Sequence, residues 1–258
     1  MLIMKNDYKN YISLGYFCNV AIDLEKLGLR DQSSPFDWIW TYFEDVINAI
    51  DKEFDGFMDY DKLAQSVNAR NHYQDGIYHF IYWHDFSMYY SLEKQYEAIK
   101  SKYDRRIHRF LQAIKEPTLF VRYIPTEDLD ENNKAIDLNW IEDNYDRILS
   151  VIKRYNPEND IVFIGDETVK SDIIKVYNVN KDEGDIVSRL PIINNKELYP
   201  ILSSAEFPGR EENIERYLKK QKKNKSFCFR LKKETIAFFT SHFHKVYKHP
   251  KTFDIPGK

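Results

Sequence analysis

The sequence predicts an α/β fold: an open, mostly parallel sheet with flanking helices, Rossmann-like in its three layers. Three observations carry that expectation. Thr118–Tyr123 (TLFVRY) and Asp160–Asp166 (DIVFIGD) are near-continuous apolar runs, the composition of strands buried on both faces. Between and before them run stretches with helical spacing of apolar residues. Each run ends at a Pro or Gly signal that allows strand and helix to alternate, as a parallel sheet requires.

The elements follow in order. Tyr11–Gly15 alternates and is rich in strand formers, so it reads as a first buried strand. Gly15, Tyr16 and Phe17 form a short turn that delivers Cys18. Val20, Ala21, Leu24 and Leu27 then share one helical face, and Gly28 stands where a glycine closes a helix. Cys18 thus falls in the first turn of a helix that follows a strand. Unpaired N–H groups and the helix dipole favour a thiolate there. A cysteine in such a place is commonly a small buried hydrophobe, and as a thiolate it is a candidate nucleophile.

Ser34, Pro35 and Asp37 read as N-cap, N1 and N3 of a strongly apolar helix running to about Ile50. Asp37 is alternatively a site residue, orienting a catalytic group or touching substrate. Residues 54–67 read as short helical pieces, and Asn68–Gly76 as polar and turn-like. Ile77–His84 is dense in aromatic and branched residues without helical period, so it reads as a strand ending at His84. Leu92–Ile114 reads as one long amphipathic helix stopped by Glu116-Pro117. After the strand Thr118–Tyr123 comes an acidic loop, Pro125–Asp137, and then a helix over Ile141–Tyr155 broken by Asn156-Pro157. Ile186–Ile193 is a further candidate strand. Arg210–Lys233 is basic and partly helical, and Leu231–Tyr247 reads as a terminal helix. The chain is expected to be one α/β domain over 1–258, with 205–258 as its basic helical appendage.

Composition narrows the function. The 258 residues carry a net charge of −3, which gives no general attraction to nucleic acid or anionic membrane. No apolar run approaches the roughly 18 residues of a membrane span. The N-terminus lacks a signal-peptide pattern, and two cysteines, Cys18 and Cys228, make no disulfide framework. A cytoplasmic protein with reduced thiols is the expectation. The histidines lack metal-ligand spacing, so no metal is expected, and neither a P-loop nor G-x-G-x-x-G is present.

The candidate site comes from where the strands end. Ligands of open parallel sheets bind beyond the carboxyl ends of the strands. Cys18, Arg122 and Asp166 all lie at such ends, and His84 ends its own apolar segment. A thiol, an imidazole and an orienting carboxylate make an acyl-transfer site. His84 would take the thiol proton, Asp85 or Asp166 would fix the imidazole tautomer, and N–H groups of Phe17–Asn19 would form the oxyanion hole. Arg122, with Arg105 or Arg106, is a candidate clamp for a carboxylate, phosphate or sugar acid. Arg122 is equally a candidate for a buried structural ion pair.

Ser13-Leu14-Gly15, Cys18, Gly28-Leu29-Arg30 and Pro35-Phe36-Asp37-Trp38, followed by His84-Asp85 and Arg105-Arg106-Ile107-His108-Arg109-Phe110, form a pattern that resembles the "putative papain-like cysteine peptidase" family. The resemblance covers about the first half of the chain. It implies a Cys-His peptidase and a papain-like α+β fold, a helix bearing the cysteine against an antiparallel sheet. The strand pattern favours the parallel sheet instead. The functional expectation is a cysteine-dependent hydrolase or acyltransferase acting on a peptide or a surface glycan, with acyl-coenzyme A as donor if it transfers. The alternative is a protein of polysaccharide biosynthesis that binds a sugar or nucleotide sugar without thiol chemistry, or an interaction module.

Overall fold

The computed structural model describes residues 8–131, 133–180, 190–225 and 248–254. Along the chain come β1 (Asn10–Ser13), α1 (Asn19–Lys26), β2 (Ile39–Trp40), α2 (Phe43–Asp51), β3 (Ala64–Ser66), β4 (Tyr73–Gln74) and β5 (Ile81–Tyr82). Then follow α3 (Leu92–Ala113), β6 (Thr118–Tyr123), α4 (Ile136–Asp143), α5 (Tyr145–Lys153), β7 (Asp160–Asp166), β8 (Val176–Val179), α6 (Leu198–Ser203), α7 (Arg210–Lys225) and β9 (Thr252–Phe253).

The main sheet has the order β1-β6-β7-β8, with every pair parallel. Its strands alternate between two cores. Leu119, Val121, Tyr123, Val162 and Ile164 pack with Val20 and Leu24 of α1 on one face. Phe120, Ile161 and Phe163 pack with Phe43, Phe110, Ile141 and Ile148 of the helices on the other. Period-two alternation with both faces covered explains why β6 and β7 read as unbroken apolar runs. The protein is therefore mixed α/β with a four-stranded parallel sheet and flanking helices, as expected. Consecutive strands of this sheet are neighbours, so its order shows no reversal of the kind that marks a doubly wound sheet.

A second sheet, β2-β5-β4-β3-β9, was not legible in the sequence. It is antiparallel except for β3 with β9. Its formation corrects four expectations: β3 stands within the expected helical pieces of 54–67, β4 within the expected turn Asn68–Gly76, and two further segments change as follows. The helix expected from Ser34 to about Ile50 forms only in its second half, as α2; its first half is a turn followed by the extended pair Ile39-Trp40, which adds to Tyr82-Ile81. The capping pattern itself is present, since the Ser34 N–H donates to Asp37 Oδ2 at 2.8 Å; cross-strand pairing prevails over local helical preference. The strand expected over Ile77–His84 shrinks to Ile81–Tyr82. Asp75 Oδ1 accepts from the N–H groups of Ile77 (2.7 Å) and Tyr78 (3.0 Å), which turns the chain before it can extend.

The helix α1 closes as a Schellman motif. Leu29 N–H donates to Leu24 O at 3.0 Å and Gly28 N–H to Glu25 O at 3.2 Å. Gly28 has φ +71°, and a Cβ there would lie 2.5 Å from Arg210 O, so glycine also admits the start of α7. Arg210 Nε and Asn213 Nδ2 then donate to the carbonyls of Leu27 and Gly28. The single helix expected over Ile141–Tyr155 starts earlier and divides at Asn144 into α4 and α5. Residues 186–189 of the candidate strand Ile186–Ile193 lie outside the described residues, and Leu190–Ile193 is a coil and turn, not a strand; Cys228 and the expected terminal helix Leu231–Tyr247 also lie outside the described residues. Among the described residues no helix is long and apolar enough to cross a membrane.

Candidate active site

The junction between β1 and α1 is held from below. Leu14 N–H makes the last rung to Val121 O at 2.9 Å. Gly15 has φ +82°, and a Cβ there would stand 2.6 Å from Thr41 Oγ1 and 3.0 Å from Arg122 Nη1. Only glycine turns this way and leaves room for the arginine beneath. Three residues on, Cys18 is the N-cap of α1, with φ −73° and ψ −11°; its carbonyl accepts from Ile22 N–H at 3.0 Å. The side chain is 3 % exposed and belongs to the apolar cluster of Tyr16, Phe17, Trp40 and Ile81. Position at a helix N-terminus favours the thiolate, and the apolar surround favours the thiol.

His84 comes from the other sheet. It follows β5, is exposed, and meets the ring of Phe17 edge-on at 6.5 Å between centroids. Trp83 touches the same ring at 5.8 Å, and His72 packs over Trp83 at 4.2 Å. The residue before Cys18 is thus the one against which Trp83 and His84 both rest. The structure brings the segment of His84 to the segment of Cys18.

The expected orienting carboxylates are held elsewhere. Asp85 accepts from Tyr103 OH at 2.7 Å and pairs with Lys102 Nζ, both on α3. Asp166, 1 % exposed, accepts from Thr126 Oγ1 at 2.6 Å and from Thr168 N–H at 2.9 Å. Neither is hydrogen-bonded to His84 among the described residues. Asp166 does sit at the carboxyl end of its strand, beside that of β6.

Asp37 and the α3 arginines form an interior network. Asp37, fully buried, accepts from Arg30 Nε at 3.0 Å and Nη2 at 2.5 Å. Burial pushes its carboxyl up, and the charges of Arg30 and then Arg106 pull it down. Arg106 lies 5.0 Å over the Tyr103 ring, so it faces inward, whereas Arg105 is exposed on α3. Arg30 and Asp37 thus pair within the loop after α1, Asp85 ties the segment after β5 to α3, and Arg106 of α3 reaches Asp37 through its charge.

Arg122 is no clamp in an open cleft. It is fully buried and ion-paired to Asp137. Its Nη1 donates to Leu14 O and Thr41 Oγ1, each at 2.9 Å, and its Nη2 to Thr41 O at 2.8 Å. Asp137 Oδ1 in turn accepts from Phe43 N–H at 3.0 Å. The pair ties the end of β1 to the start of α2. This is the structural reading of a charged residue closing a buried strand.

Several neighbours of the junction escaped the sequence reading. Tyr16 packs on Trp40 at 5.7 Å, and Trp40 on Tyr42 at 4.5 Å. Tyr42 OH donates to Asp128 Oδ2 at 3.5 Å. Burial, first, and then the Tyr42 hydrogen bond and Glu127 set Asp128, with its carboxyl raised. The aromatic density of Pro35–Tyr42 was the available signal, spent on a helix expectation.

Fold and junction define an α/β protein with a buried thiol at a strand–helix turn, where an imidazole that follows β5 rests against the ring of Phe17. The chain belongs to the family described as "Putative papain-like cysteine peptidase", whose model matches residues 9–148. It is also similar to an uncharacterized protein, R408, of Acanthamoeba polyphaga mimivirus: 27 % identical over 190 residues, 65 % of this chain and 82 % of that protein. No solved structure matches the chain.

Proposed function

We propose that the chain is a cysteine-dependent hydrolase or acyltransferase with Cys18 as nucleophile and His84 as its proton partner. The observation that carries this reading is the contact of His84 with Phe17, the residue next to the N-cap thiol. Membership of the peptidase family supports it.

The chemistry balances within these two side chains and the substrate. The imidazole takes the Cys18 proton, and the thiolate adds to the acyl carbon. The bond to the leaving nitrogen or oxygen, or to the sulfur of acyl-coenzyme A, breaks, and that atom takes the proton back from the imidazolium. The resulting thioester is opened by water, in a hydrolase, or by an acceptor hydroxyl, in a transferase, with the imidazole again moving the proton. N–H groups of Phe17–Asn19 are the candidate oxyanion donors. Peptides and acylated surface glycans both present the required carbonyl, and acyl-coenzyme A would be the donor for transfer.

The test is to incubate the protein with peptide amides, acylated glycans and acyl-coenzyme A, and to read intact mass. An acyl adduct that maps to Cys18 and is lost in Cys18→Ser is the expected result. Turnover that persists in Cys18→Ser would refute thiol catalysis and leave a binding protein or a different chemistry.

A further inference from the structure

A cavity lined by described residues lies away from Cys18. It occupies about 610 Å³ beside the start of β1, at the opposite end of that strand from the thiol. Its walls are β1, the loop 29–34 after α1, the last turns of α3, and Phe207. That volume falls in the range of roughly 300–1,000 Å³ typical of small-molecule sites.

The lining has two characters. The floor is apolar and ring-rich: Tyr11, Phe110, Phe207, Ile12 and Leu29. Phe207 and Tyr11 meet edge-on at 6.0 Å, so the floor presents fixed ring faces and edges. The rim is charged and divided along α3. At one end Lys9 stands beside Glu116, because its N–H donates to the carbonyl of the next residue, Pro117, at 2.8 Å. At the other end Arg109 and His108 face the loop bearing Ser33 and Ser34, with Asp31 on the loop as the only exposed acid. Arg30 also lines this end, but Asp37 and Glu25 offset its charge. Arg109 and Lys9 are exposed, and among the described residues neither has an ion-pair partner. Arg109 lines the same cavity as these rings and as Ser33 and Ser34, and the Ser33 hydroxyl accepts from Arg30 Nη2 at 3.0 Å; an exposed guanidinium on the rim of a ring-lined cavity suits a planar apolar body with one anionic oxygen group.

We infer that this groove binds a small aromatic anion, with its ring system on Tyr11, Phe110 and Phe207 and its carboxylate, sulfonate or phosphate at Arg109. This is independent of the chemistry proposed for Cys18.

The experiment uses two matched dyes on the full chain: 8-anilinonaphthalene-1-sulfonate, which carries the anion, and N-phenyl-1-naphthylamine, which lacks it. The expected result is saturable one-to-one binding of the sulfonate, weakened about tenfold by Arg109→Gln while the neutral dye is unaffected. Gln112→Trp, an exposed position on the cavity wall, should weaken both dyes by filling the groove. Unchanged melting temperatures for both variants show that the fold is intact. Sulfonate binding that is non-saturable, indifferent to Arg109→Gln, or indifferent to Gln112→Trp overturns the assignment. Equal loss of both dyes in Arg109→Gln overturns the anionic head.

Discussion

Arg122 and Asp137 form an ion pair with 0 % and 2 % of their side chains exposed, between the carboxyl end of β6 and the first turn of α4. Removing one partner of such a pair leaves a buried charge. Arg122→Ala is therefore expected to cost about 3–5 kcal/mol of stability. Arg122→Lys keeps the charge but cannot reproduce the donors to Leu14 O, Thr41 Oγ1 and Thr41 O together, and should also destabilise. Denaturant unfolding monitored by far-UV circular dichroism checks both. A loss under 1 kcal/mol for Arg122→Ala would show that the pair is not what holds the junction.

Asp37 separates architecture from catalysis. As the buried partner of Arg30, it should cost on the order of 3 kcal/mol on replacement by Ala, more than a surface cap would. Cys18 in Asp37→Ala should alkylate at the wild-type rate at temperatures where the variant is folded. A large fall in thiol reactivity without a fall in melting temperature would place Asp37 in the site.

Thiol chemistry tests the proposed dyad. Iodoacetamide at neutral pH is expected to label Cys18 faster than Cys228, which lies between two phenylalanines in the sequence and outside the described residues. In the proposed dyad the helix N-terminus and His84 both favour the thiolate and must outweigh the apolar surround of Cys18, so the thiol is expected below its ordinary value of about 8.5. His84→Ala should then move the alkylation midpoint upward in pH and slow labelling at pH 7, with an unchanged melting temperature because His84 is exposed. Peptide mass spectrometry over a pH series reads both thiols at once. A folded wild type whose Cys18 is inert, or indifferent to His84→Ala, has a packing cysteine and no dyad.

Asp23, on the same helix as Cys18, gives a prediction in pH. Its side chain is buried and Oδ2 accepts from Ile192 N–H at 2.7 Å and Ile193 N–H at 3.3 Å. Burial pushes its carboxyl up to about 6, against which the two N–H groups pull down. The folded chain therefore holds this proton more tightly than the unfolded chain. The stability it contributes is complete below the unfolded value near 3.8 and is lost as pH rises to about 6. The loss is on the order of 3 kcal/mol. Asp23→Asn keeps an acceptor for Ile192 and should remove this part of the slope, so that the variant gains on the wild type between pH 4 and 6. Urea midpoints of both proteins across pH 4–7 measure the difference. Parallel curves would show that Asp23 titrates alike in both states.

Much of this protein could be read from its residues alone, and the rest had to wait for its pairings. Thr118–Tyr123 and Asp160–Asp166 announced the central strands because burial on both faces leaves no polar alternation to confuse the reading. Gly28 announced the end of α1, and Gly15 the turn before Cys18, because no other residue takes those backbone angles easily. The family itself was legible in the local pattern from Ser13 to Phe110. The second sheet was not: its strands are two or three residues long, too short for a period, and exist because distant segments pair. The same holds for charge partners. That Arg122 meets Asp137, that Asp85 turns to Lys102 and Tyr103, and that Asp37 meets Arg30 are facts of side chains brought together in space. Sequence could place those charged groups at the ends of elements. Only the packed structure decided which would be neutralised inside, and that the rim of a separate groove keeps Arg109 without an ion-pair partner among the described residues.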